Sequence, residues 1–331
     1  MNTTPSSSRH SQTGAASNHP TPDQDQPQAD ATPREPTTGE RALVLGGGGS
    51  TGNAWLIGVI AGLFDAGVDI TTADLTIGTS AGSTAAAQLA GATPAELFAA
   101  VVAAVPQQRT TPEANRASTA TRPVTDHLER MREIIAAASD VADMRRRMGA
   151  IALELDAASG GSWQERWRTT VAARLPGWHW PQRRLLITAV DAHSGEPVVF
   201  DRDSGVDLVD AVAASCAGGG FPYSIGSRRY IDGGYRSNSD NADLAAGYRR
   251  VLVLSPLSGR SLHPLAWGTH LATQVDELRA SGSRVMTVFP DGDSEHLFGA
   301  NAMNPELRPL AAQAGYGQGA ALVEQIRQFW G

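Results

Sequence analysis

The chain has 331 residues, a net charge of −7 and a single cysteine, Cys216, so neither an internal disulfide framework nor a multi-cysteine zinc or iron–sulfur centre can form. All 27 basic residues are arginine, which excludes Schiff-base lysine chemistry, pyridoxal catalysis, a Ser–Lys dyad and a Walker A lysine. The acidic balance argues against a binder that grips nucleic acid through a basic face, and no nucleic-acid partner is expected. No apolar run reaches the length of a membrane-spanning helix, and no signal-peptide pattern stands at the N-terminus; the expected location is the cytoplasm.

Residues 1–39 are almost free of large apolar side chains and read as a disordered tail. Residues 40–331 read as one catalytic domain. Arg41 to Leu45 is a short strand that runs into Gly46-Gly47-Gly48-Gly49. Trp55, Val59, Ile60 and Leu63 recur at helical spacing between Gly52 and Gly67. Asp74 to Gly78 is a second strand, followed by Ser80 and an alanine-rich helix from Ala81 to Ala90. This strand–helix alternation predicts a parallel sheet. Residues 94–175 are mostly helical in pattern, with helices expected over 125–138, 141–158 and 162–175. Strands return at 184–190, 198–200, 229–231, 251–254 and 284–288, with helices near 207–215, 265–281 and 305–329. The expected fold is α/β: three layers, α/β/α, with a mainly parallel central sheet and a helical cap over about 106–180.

Three stretches carry chemistry. Gly78-Thr79-Ser80-Ala81-Gly82 is G-x-S-x-G between a strand and a helix, the setting of a nucleophile elbow. The glycines let strand and helix pass closely, and the helix N-terminus favours developing negative charge. Gly46 to Gly52 is a glycine loop with two functional readings. It can form an oxyanion hole, or, as Gly47-x-Gly49-x-x-Gly52, a dinucleotide loop with Asp69 or Asp74 downstream. Asp232-Gly233-Gly234 follows a short strand and, alone, suits a plain turn.

In this order the three resemble the patatin-like phospholipases, lipid acyl hydrolases. The likeness extends to Ala214-Ser215-Cys216-Ala217 and to Asn241-Ala242-Asp243-Leu244-Ala245. One departure is Thr51, which stands where the family usually carries Arg or Lys. The resemblance implies a Ser–Asp dyad without metal or cofactor. Ser80 would be the nucleophile, Asp232 the base, and the N–H groups of Gly47, Gly48 and Gly49 the oxyanion hole. The flanking motif glycines are Gly78, Gly82, Gly233 and Gly234. An aspartate of pKa about 4 is a poor base, so burial is expected to raise it.

Two other classes stay open at this level: a nicotinamide-dependent oxidoreductase using the Gly47–Gly52 loop, and a degenerate binding protein. His263, His270 and His296 follow Asp232, so a Ser–Asp–His order also exists on paper. The expected partner is a lipid or acyl-ester substrate, with peripheral membrane contact. Trp163 and Trp167 share a helix face in the cap, a spacing that usually means core packing, and they are also candidates for that contact. Ile134, Ile135, Ile151, Leu153 and Leu155 are candidates to line an acyl channel.

Overall fold

The computed structural model describes residues 38–103, 124–159, 163–218 and 220–331. Nearly all of the expected tail, and residues 106–123 and 160–162 of the expected cap, lie outside them. In chain order the elements are β1 (Gly39–Leu45), α1 (Gly49–Asp65), β2 (Leu75–Gly78), α2 (Ala81–Gly91), α3 (Pro94–Ala103), α4 (Val124–Ala137), α5 (Val141–Ser159), α6 (Trp163–Ala172), β3 (Arg184–Asp191), β4 (Pro197–Phe200), α7 (Leu208–Ser215), β5 (Tyr223–Ile225), β6 (Arg228–Asp232), β7 (Tyr248–Leu254), α8 (Leu271–Ala280), β8 (Arg284–Val288), α9 (Arg308–Ala321) and α10 (Val323–Trp330).

The strands form one sheet in the order β5-β6-β3-β2-β1-β7-β8, with β4 paired to β3. From β3 to β8 neighbouring strands are parallel; β4, β5 and β6 are antiparallel additions at the β3 end. The central strands are apolar on both sides because both faces are covered. On β1, Leu43 and Leu45 point into a core shared with α1, α2, α7, α9 and α10. Ala42 and Val44 point the other way, into a core shared with α8 and Ala242–Ala245. That alternation is the three-layer α/β/α arrangement in a single strand.

Helix α1 is buried from Thr51 to Leu63, since it is enclosed between the sheet and α9. The two helices approach on small residues. A Cβ at Gly58 or Gly62 would meet α9 backbone, and one at Gly315 or Gly319 would meet α1 backbone. In the cap, Ile134, Ile135, Met144 and Met148 of α4 and α5 pack on Val190 and Ile231 at the ends of β3 and β6.

The structure departs from the sequence expectations in three places. The helix expected over 265–281 is a 3-10 turn at Leu265–Trp267 followed by α8, because Gly268 turns left-handed with φ 65° between them. The helix expected over 305–329 is split into α9 and α10 at Leu322. β5 was not expected: it is a three-residue hairpin partner of β6, too short to leave a periodic signal.

Candidate active site

Register alone brings two of the motifs together. Gly78 pairs with Ile187 on β3, so Ser80, two residues on, stands level with Ala189. Ala189 pairs with Asp232 at the end of β6 on this same side, because β4 takes the other side of both Ile187 and Ala189. The Ser80 hydroxyl donates to Asp232 Oδ2 at 2.8 Å, although the residues are 152 positions apart.

Ser80 is half-buried and sits at φ 50°, ψ −111°, in the left-handed half of conformational space that L side chains avoid. Residues held there cost about 1–3 kcal/mol and need surroundings that enforce them. Here the Ser80 N–H donates to Ser215 Oγ at 3.0 Å. The Ser80 carbonyl accepts from Ser83 Oγ at 2.7 Å, Thr84 N–H at 3.1 Å and Cys216 Sγ at 3.1 Å. A Cβ at Gly82 would run into the Leu45 carbonyl, and one at Gly78 into the Ser83 backbone, so both flanking glycines are required by close packing.

Asp232 Oδ1 accepts the Gly234 N–H at 2.8 Å. Burial pushes the Asp232 carboxyl up to about 6, against the smaller downward pull of the Gly234 and Ser80 hydrogen bonds. Gly218 faces it, since a Cβ there would come within 3.0 Å of Oδ2. His263, His270 and His296 are engaged elsewhere: with Thr269 Oγ1, with the His263 carbonyl and with the Asp293 carbonyl.

The glycine loop passes beside Ser80: a Cβ on Gly47 would be 3.7 Å from that of Ser80. The Gly47 N–H donates to the Ser239 carbonyl at 2.7 Å, so it is engaged within the chain. Gly48 and Gly49 open α1, with Gly49 at φ 66°, and Ala81 opens α2. Their N–H groups have no partner among the described residues, as expected for the first turn of a helix. Gly48 packs on Pro256, and Gly49 on Ala302 and Met303.

Several further residues support this arrangement, Asn241 from a stretch that carries the resemblance and Thr188 and Arg308 without any local sequence signal. Asn241, fully buried and left-handed at φ 55°, donates through Nδ2 to Thr79 Oγ1 at 3.0 Å and to the Gly233 carbonyl at 3.0 Å. Thr188 Oγ1 donates to the same Thr79 hydroxyl at 3.0 Å. Arg308 donates to the Ser50 carbonyl at 2.8 Å and to Asn53 Oδ1 at 3.1 Å, on the turn that carries Thr51. Burial, with Arg174 nearby, lowers its guanidinium to about 10. Asp240 is buried under the loop against Gly46, with Oδ1 unpartnered, and burial raises its carboxyl to about 7.

A cavity of about 30 Å³ lies among α4, α5 and the end of β6. Ile134, Ile151 and Leu155 line it, with Met148, Ile231 and Tyr235; Ile135 and Leu153 are not among its lining residues. Of the two readings of the cap tryptophans, the structure bears out core packing. Trp163 meets Phe221 with ring centroids 5.6 Å apart and tilted by 42° and donates to Asp156 Oδ1 at 3.1 Å, and Trp167 donates to the Ala213 carbonyl at 3.0 Å. Both pack against the main core, because α6 lies on α7.

The sequence matches the family model described as patatin-like phospholipase over residues 43–245, more than half of the chain. No curated protein sequence matches it. Among solved structures, VipD from Legionella pneumophila is 14% identical with a TM-score of 0.41, over 86% of this chain and 67% of that one. The type III effector ExoU is 16% identical with a TM-score of 0.36, over 88% of this chain and 54% of that one. Full-length ExoU in complex with SpcU, from Pseudomonas aeruginosa, gives 17% identity and a TM-score of 0.35, over 88% and 53%. The chain thus spans about half the length of ExoU. On the extent of the family match, with the three motifs in their order, the chain belongs to the patatin-like phospholipase family of lipid acyl hydrolases.

Proposed function

We propose that the protein hydrolyses acyl esters of lipids through an acyl–Ser80 intermediate, with Asp232 as the only base. The observation that carries this reading is the 2.8 Å hydrogen bond from the Ser80 hydroxyl, on its strained turn, to the buried Asp232 carboxylate. Ser80 Oγ attacks the ester carbonyl carbon while its proton passes to Asp232 Oδ2. The carbonyl oxygen becomes an oxyanion and takes hydrogen bonds from Gly48 and Gly49, whose N–H groups are unpartnered. Gly47 is left out of this donor set by its bond to Ser239. The intermediate collapses, Asp232 returns the proton to the leaving alcohol oxygen, and the acyl group stays on Ser80. A water then gives its proton to Asp232 and attacks the acyl carbon. Ser80 leaves, retaking the proton, and the fatty acid departs.

A raised carboxyl suits both halves of this cycle: it is ionised above pH 6 yet basic enough to hold a proton in transit. The dinucleotide reading of the loop has less support, since it leaves the Ser80–Asp232 hydrogen bond without a role. Fluorophosphonate labelling tests the proposal. The wild type should label, and Ser80→Ala and Asp232→Asn should not, with all three folded by circular dichroism. Full labelling of Ser80→Ala would assign the nucleophile elsewhere.

A further inference from the structure

Large apolar side chains that stay exposed are concentrated at one edge of the sheet. Leu262 (41%), Leu265 (79%), Phe289 (38%) and Met303 (64%) all lie on the connections that leave the carboxyl ends of β7 and β8. Ser80 and the glycine loop leave β2 and β1 at the same edge. The most exposed of the four, Leu265, stands on the 3-10 turn Leu265–Trp267, after Pro264.

This turn is built firmly. Its N–H groups at Trp267 and Gly268 close on the carbonyls of Pro264 and Leu265. His263 Nδ1 meets Thr269 Oγ1 at 2.8 Å, and Asn238 donates to the Thr269 carbonyl at 2.7 Å. Asn238 adjoins Ser239, which accepts from Gly47, so the turn and the glycine loop share one support. Trp267, unlike Leu265, is half-buried and packs against the small core that α4 and α5 form with Val190 and Ile231. The exposed tip is therefore anchored on the apolar core beside the end of β6, which carries Asp232.

The electrostatics select the occupant. From Ser261 to Gln274 there is no Asp, Glu, Lys or Arg. Burial, with His270 and Arg145 nearby, holds His263 down to about 4, so the turn is uncharged at neutral pH. Arg260, just before it, is paired with Glu295 at 2.8 Å. The neighbouring connection carries Asp291, Asp293 and Glu295 and no basic residue between Phe289 and Asn304 other than His296. Such a rim is repelled by an anionic surface and is suited to a zwitterionic or uncharged one.

We propose that Leu262–Trp267 is a lipid-docking tip that seats the protein on a zwitterionic or uncharged lipid surface, with the mouth of the Ser80 site turned toward it. Lipid as the occupant rests on the proposed acyl hydrolase activity; the apolar tip and its charge do not. Burying one leucine in lipid changes partitioning by about tenfold or more.

The test uses the full chain and phosphatidylcholine vesicles in a flotation assay, beside turnover of a short soluble ester. The wild type should float with the vesicles, Leu265→Asp should lose about tenfold or more of that binding, and both should turn over the soluble ester equally. Leu262→Asp is a second variant at an independent exposed position. Trp178→Asp is the control, being 63% exposed but before β3, at the opposite edge of the sheet, and it should still float. Equal flotation of wild type and Leu265→Asp would overturn the proposal. So would binding that appears only when phosphatidylserine is added. A wild-type dimer that Leu265→Asp dissolves, without vesicle binding, would make a second copy the occupant and also overturn it. Loss of flotation in Leu265→Asp, with no ester turnover by the wild type at all, would keep the docking tip and remove the hydrolase reading.

Discussion

Asn241 Nδ2 lies 3.0 Å from Thr79 Oγ1, although the residues are 162 positions apart, and it bonds equally closely to the Gly233 carbonyl. One amide thus ties the residue before Ser80 to the residue after Asp232. Its own oxygen accepts from Arg236, which pairs bidentately with Asp243. Removing the amide takes one of two donors from each group, leaving Thr79 with Thr188 and Gly233 with the Arg236 N–H, and each lost hydrogen bond is worth about 0.5–1.5 kcal/mol. Asn241→Ala should lower kcat about 10- to 100-fold, since about 1.4 kcal/mol is tenfold, and move KM little. Steady-state kinetics beside a melting curve checks this. A kcat like the wild type's in a less stable protein would make Asn241 a purely structural residue.

Asp232 should impose a pH dependence with a definite sign. As a base it must be ionised, so kcat/KM should rise with pH through about 6. Its effect on stability runs the other way. Below about pH 4 both folded and unfolded states hold the proton and the contribution is nil. Between about 4 and 6 only the folded state holds it, so stability falls as pH rises; above 6 the loss is constant at about 3 kcal/mol. Asp232→Asn should therefore be inactive yet melt higher than the wild type at pH 7, and the gap should close toward pH 4.

Asp240 should behave alike in stability without sharing the chemistry. Its carboxyl is raised to about 7 and carries an unpartnered oxygen against Gly46. Asp240→Asn removes a charge buried at a cost, so its gain in melting temperature should grow from pH 4 to pH 8. A gain that is flat across this range would assign the effect to packing.

The turn at Ser80 is strained by its positive φ, and only glycine relieves that. Ser80→Gly and Ser80→Ala lose the same hydroxyl. Ser80→Gly should nonetheless be the more stable, by about 1 kcal/mol, in urea unfolding.

Gly82 and Gly317 separate close packing from helix propensity. A Cβ at Gly82 meets the Leu45 carbonyl, whereas one at Gly317 on α9 meets open space. Gly82→Ala should destabilise by about 1–3 kcal/mol, and Gly317→Ala should stabilise by about 0.5–1 kcal/mol.

The local features were legible in the sequence because their causes are local. A strand that ends in Gly78, a serine, and a helix that needs Gly82 to pass Leu45 lie within one short stretch, so the pattern contains the geometry. The alternation of Ala42, Leu43, Val44 and Leu45 likewise encodes a sheet covered on both faces. What tertiary structure decided were the contacts made between distant segments. The approach of Asp232 to Ser80 depends on β6 running antiparallel to β3 in one register, and a slip of one residue would turn the carboxylate to the other face. Ser215 and Asn241 lie in stretches that carry the resemblance, but Thr188 and Arg308 reach the site from elsewhere, and single polar residues leave no periodic trace of what they will face. The tryptophans show the same limit. Spacing puts Trp163 and Trp167 on one side of α6, but only the packing of α6 on α7 turns that side inward. Leu265, in a stretch that reads as helix, is left exposed by a left-handed Gly268, because side-chain exposure depends on neighbours that arrive from elsewhere in the chain.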